Sequence, residues 1–234
     1  MKFQPPALLE LPKFKTALDF RDRFSFGIEK LDSKIQLHLD DVLGIFGDTR
    51  YTNTLATRLV VRSLLPRTHG GVNSENVIVI DSNNSSSSYL YVDIARQHGM
   101  HYRNVLRKVL VSREFTIYQL TNTIIYDLPK RIQLHKPKVI LISGLLDQFF
   151  HDPYIRTAEA ESLVSQIVTA LHKIKNVFII LTSRITENQI VIPAMSRIEI
   201  RTKNEFDERK LNFSIYNKSK LKKISLMEAE ITKD

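Results

Sequence analysis

A chain of 234 residues, 43% hydrophobic and 25% charged, has enough apolar side chains for one large packed domain and too many for a disordered chain. Its lack of cysteine excludes disulfides, thiol nucleophiles and cysteine-bound zinc, and no apolar run approaches the roughly 20 residues that cross a bilayer. The net charge of +9 permits attraction to nucleic acid without identifying it as the ligand.

The N-terminal stretch MKFQPPALLELPKF is interrupted by Pro5, Pro6 and Pro12, and its apolar part is too short for a signal peptide. Residues 1–23 therefore read as an N-terminal extension of one core domain, 24–234. The expected compartment is cytoplasmic (nucleoid-associated if the source is archaeal, nuclear if it is eukaryotic), with no membrane partner.

Along the core, five short β-branched runs stand out: VLGIFG (42–47), NVIVID (76–81), KVLVS (108–112), KVILIS (138–143) and NVFIILTS (176–183). Each has the length of a buried strand. The stretches Thr54–Leu65, Ser88–Gly99, Thr116–Leu134 and Ala158–Ile174 between them can form helices; in the last, Leu163, Ile167, Ala170, Leu171 and Ile174 mark one face. Alternation of this kind predicts an α/β fold, a mostly parallel sheet with helices on both faces. After Pro193 the pattern changes to apolar–polar alternation in SRIEIRTK, KLNFSIYN and the tail through ISLMEAEI, which predicts antiparallel strands, with a turn at 204–207. The polar run SNNSSSS (82–88) predicts a loop after the second strand.

Little in this pattern points to enzyme chemistry. His98 and His101 have no third ligand at metal spacing and read as surface residues. Ser85–Ser88 lack the base that a nucleophile needs, and Tyr89 and Tyr91 read as packing residues. No catalytic residue, metal site or cofactor is expected.

Several stretches, in order, resemble the RecA/RadA recombinase family, most closely its archaeal RadA and eukaryotic branch. FSFGIEKLD (24–32) resembles the family's S-T-G-x-x-x-L-D, and LPRTHGG (65–71) its L-P-x-x-x-G-G. VIVIDSNN (77–84) takes the place of V-x-x-I-D-T-E, VLRKVLVSREFTIYQL (105–120) resembles the V-A-R-A-F-N block, and EAEITKD (228–234) the last core strand. The resemblance implies a RecA-like core without the family's helix-hairpin-helix domain. It also implies a phosphate loop G-x-x-x-x-G-K-[S/T] at Gly47, where this chain reads G-D-T-R-Y-T-N-T. Gly47 and Thr54 remain, but Thr52 replaces the second glycine and Asn53 the lysine. Asn83 stands for the glutamate that orients water, and Ser143 for the aspartate that supports magnesium. The expectation is a paralogue without ATPase activity.

One further family motif is present, Phe-x-x-Ala at Phe14 and Ala17 in PKFKTALDF, by which RadA-type protomers dock on one another. It implies binding to a RadA-type recombinase or a sister paralogue, in recombinational DNA repair. Family DNA-binding loops would correspond to 149–161, with Arg156, and to 183–197, with Arg184 and Arg197. Lys218, Lys220, Lys222 and Lys223 form a basic run that either meets phosphates or protects an edge strand. Two other readings compete: a stand-alone DNA-binding module, and a residual nucleotide binder using Arg50 in place of the lysine.

Overall fold

The computed structural model describes residues 23–151, 155–184, 196–205, 208–217 and 220–227. A two-stranded antiparallel pair, β1 (Arg23–Phe24) and β2 (Leu37–His38), encloses the short helix α1 (Glu29–Asp32). The main elements follow: β3 (Val42–Gly47), α2 (Thr49–Ser63), β4 (Val77–Asp81), α3 (Ser88–Gln97), α4 (Tyr102–Lys108), β5 (Val109–Arg113) and α5 (Ile117–Asn122). A π-helical turn (Thr123–Asp127) leads into α6 (Leu128–His135), then β6 (Val139–Ser143), α7 (Asp147–His151), α8 (Thr157–His172), β7 (Phe178–Ser183), β8 (Ser196–Glu205), β9 (Glu208–Asn217) and β10 (Lys220–Met227).

The eight main strands form one sheet in the order β10-β9-β8-β3-β7-β6-β4-β5. From β8 through β5 the neighbours are parallel, whereas β8, β9 and β10 pair antiparallel. The α/β architecture expected from the alternating runs is therefore present, including the antiparallel end. The strand period of two divides the core. Leu43, Ile45, Val77, Val79, Val139 and Leu141 pack with α2 and α3 on one face. Phe46, Ile78, Ile80, Ile140 and Ile142 pack with α5 and α8 on the other.

Two boundaries differ from the sequence expectation. The stretch Thr116–Leu134 is not one regular helix, because a π turn inserts just before Pro129, whose ring cannot sit in a regular helix interior. The helix expected from Thr54 begins five residues earlier, at Thr49. Of the two tyrosines expected to pack, Tyr91 is buried, but Tyr89 is 81% exposed at the first turn of α3.

The FSFGIEKLD stretch is a strap bound to α2. Arg58, although inside an apolar helix face, is only 1% exposed and donates from Nε to the Phe26 carbonyl at 2.8 Å. Arg62 donates to the Ser25 carbonyl at 2.8 Å and to the His69 carbonyl at 3.0 Å. Asp32 closes the strap by accepting the amides of Phe26 at 2.7 Å and Ile28 at 3.0 Å. Burial raises the Asp32 carboxyl above its ordinary 3.8, against the opposing pull of those amides and of Arg62. The folded state thus holds its proton to higher pH than the unfolded chain does. Stability from this group is lost as pH rises from the ordinary carboxylate value through the raised one. Asp32→Asn is expected to remove that part of the slope, read as the difference between wild-type and variant urea midpoints across the acid range.

Candidate functional site: the strand ends and the β5 edge

In open parallel sheets, ligands bind beyond the carboxyl ends of the strands where the strand order reverses. Here β3 ends at Gly47, β4 at Asp81, β6 at Ser143 and β7 at Ser183, with β6 and β7 lying between β3 and β4. The sequence-derived positions Gly47, Thr52, Asn53, Thr54, Asn83 and Ser143 all belong to this end of the sheet.

Gly47 turns the chain at φ 144°, a region that favours glycine. Asp48 is then the N-cap, and its carboxylate accepts the Arg50 amide at 2.9 Å. A phosphate loop works because backbone amides at a helix N-terminus point to empty space that an anion fills. In this chain a carboxylate of its own takes such an amide, and Thr49 to Asn53 are coiled into α2. The Thr52 and Thr54 hydroxyls turn back to the carbonyls of Thr49 and Arg50, at 3.2 and 2.8 Å.

Asn53, at the lysine position, donates to the Ser85 carbonyl at 2.7 Å and so ties α2 to the serine loop. Asp81, 1% exposed, caps that loop by accepting the amides of Ser85 and Ser86, each at 3.0 Å. Asn83 donates to Asp147 at 3.0 Å and accepts from Ser143 at 3.3 Å. The Ser143 hydroxyl also lies 2.8 Å from that of Ser85. A Cβ at Gly144 would come within 2.5 Å of the Asn83 side chain, so the glycine is what lets Asn83 lie across the strand end.

Asp147 is the hub that sequence reasoning missed. It is 7% exposed, and one of its oxygens accepts the Ser183 hydroxyl at 2.6 Å and the Arg184 amide at 2.9 Å, while the other takes Asn83. The available signal was a lone carboxylate in the largely apolar GLLDQFF, where only Gln148 beside it is also polar. Arg184 in turn donates to the Thr49 hydroxyl at 3.2 Å, which joins the end of β7 to the start of α2. Among the described residues there is no cluster of three or more histidine or acidic side chains that would hold a metal.

Other sequence-derived residues lie apart. Phe14, Ala17 and Lys218 fall outside the described residues. The segment 149–161, expected as a loop, is largely helical in its described part, with exposed Arg156 at the N-cap of α8. Arg197 is on β8, and Lys220, Lys222 and Lys223 are on β10, an outer strand of the sheet.

The opposite outer strand, β5, has a cavity on each face. One of about 480 Å³ has an apolar floor of Ile78, Ile80 and Leu128 beneath a rim of Arg107, Arg131 and His135. The other, about 320 Å³, is lined by Tyr91, Ser86, Ser88 and Arg113. Val111 between them is 46% exposed, and Phe115 just beyond the strand is 72% exposed. An exposed apolar edge strand without proline or lysine is the kind that natural sheets normally protect.

The chain matches the family model described as Rad51 over residues 24–205, from the strap through β8. That span contains the strap, the strand ends and the β5 edge, and the fold it encloses is the expected RecA-like core. The chain belongs to the Rad51 family, that of the RecA/RadA-type recombinases.

Proposed function

We propose that the chain is a Rad51-family paralogue without ATPase activity. It joins a RadA-type recombinase or a sister paralogue and acts as an accessory or mediator in homologous recombination and DNA repair. The observation that carries this reading is the start of α2, where Asp48 occupies the Arg50 amide and no loop separates Gly47 from the helix. An incoming phosphate would meet a carboxylate there instead of free amides, and Asn53, bonded to Ser85, supplies no cation. Asn83 and Ser143 bond within the same protein network, and neither supplies the carboxylate that would act as base or support magnesium.

Partner binding then falls to the Phe14/Ala17 segment and the sheet edges. An extended segment with an aromatic anchor docks by adding to an open edge while its side chains enter flanking pockets. The segment is the donor in this scheme, and β5 with its two cavities has the form of an acceptor. Exposed Arg156 and Arg184 on the core, and Arg197 on β8, are the candidates for DNA contact.

The nucleotide part is tested by thermal unfolding with ATP and magnesium. A ligand present at one hundred times its Kd stabilises by about 2.7 kcal/mol, roughly 5–10 °C for a chain of this size. The expected result is no measurable rise; a rise of that size overturns the reading and favours a retained nucleotide site.

A further inference from the structure

We propose that the β5 edge selects an extended partner segment bearing acidic side chains and discriminates against a second copy of this chain. The inference rests on the docking reading above and adds the chemistry of the partner. Its basis is the charge around the two cavities. On the larger cavity, Arg107 and Arg131 are exposed and His135 is half-buried at the rim. The acid there, Asp127, lies 3.5 Å from Lys130. On the smaller cavity, the half-exposed Arg113 side chain is 3.9 Å from buried Asp81, whose oxygens already take two backbone amides. The larger cavity is therefore rimmed by two arginines and a histidine, and the smaller carries one arginine, Arg113.

A strand added to β5 sends successive side chains alternately to the two faces. The chain's own segment reads Lys13-Phe14-Lys15. If Phe14 enters the larger, apolar cavity, both lysines lie over the face that carries Arg113. If Phe14 enters the smaller cavity, the lysines meet Arg107, Arg131 and His135. Neither register separates the lysines from arginine, and Asp19, about 13 Å beyond Lys15 in an extended chain, is too distant to offset them. A segment with glutamate or aspartate at the same places converts each repulsion into an ion pair. The chain accordingly accepts a foreign strand at β5 rather than polymerising with itself through that edge.

The test uses two fluorescent peptides covering residues 11–20, the native sequence and one with Lys13→Glu and Lys15→Glu, each titrated with the full chain. At roughly 50 mM salt the acidic peptide is expected to bind about tenfold more tightly, and the gap should close toward 1 M as the charges are screened. In a chain carrying Arg107→Glu and Arg131→Glu, or in the milder Arg113→Gln, the preference should shrink or reverse. Equal binding of the two peptides, binding of neither, or a preference unchanged in both variants would overturn the proposal. Capture of a recombinase by the full chain reads the Phe14 segment as donor and is scored separately, so failure at β5 is distinguishable from failure of the docking reading.

Discussion

Asp147→Ala lowers the thermal unfolding midpoint by about 10 °C, the larger part of it arising at the strand ends. The substitution removes the acceptor of three hydrogen bonds, from Asn83, Ser183 and Arg184. Each buried donor left without a partner costs roughly 1–3 kcal/mol, partly offset because a buried charge is also removed. A net loss of about 3–4 kcal/mol corresponds to roughly 2–4 °C per kcal/mol for a protein of this length. Asp147→Asn keeps one oxygen for Ser183 and Arg184 but turns an amide toward Asn83, and about half the loss is expected. Differential scanning calorimetry on the two variants checks the ranking. Equal midpoints for wild type and alanine variant would mean that Asp147 does not hold the strand ends together.

Arg58→Ala has an effect of similar size from the other end of α2. The side chain is among the largest that are fully buried, and its guanidinium bonds the carbonyls of Phe26 and Gly27 at 2.8 and 3.5 Å. Truncation leaves a cavity and two carbonyls without their donor, together about 4 kcal/mol. Arg58→Met separates the two costs, since it fills most of the volume and restores no donor. Its midpoint should fall between wild type and alanine in urea denaturation. An Arg58→Met chain as stable as wild type would show that packing alone holds the strap.

How legible these features were follows from their physics. β3, β4, β6 and β7 were readable to within two residues, because strands buried on both faces need continuous β-branched runs, and β5 was readable to within one although most of it is exposed. That Asn53, Asn83 and Ser143 meet at one end of the sheet was readable from the order of the motifs, but their bonds to Ser85 and Asp147 were not. The early start of α2 was obscured by the phosphate-loop motif, which led Gly47 to Thr54 to be read as a loop. Asp48, a good N-cap, was the local signal for a helix at Thr49. Asp147 was hidden in an apolar run, where composition predicts packing, and its role depends on β4, β6 and β7 converging. Arg58 and Arg62 were hidden by similar logic, as arginines four apart in a helix ordinarily face solvent. That β5 is an outer strand is a property of sheet order, which no single run encodes.

The central claim is that the chain joins a recombinase through its N-terminal segment without using a nucleotide of its own. Capture of the host's RadA-type recombinase by wild type and by Phe14→Glu, without added nucleotide, tests it most directly. A buried aromatic anchor contributes about 2 kcal/mol or more at an interface, so the variant should bind at least roughly thirtyfold more weakly. Wild type that captures the recombinase and a variant that does not is the predicted result. Equal capture by both would contradict the account and place the contact elsewhere on the core.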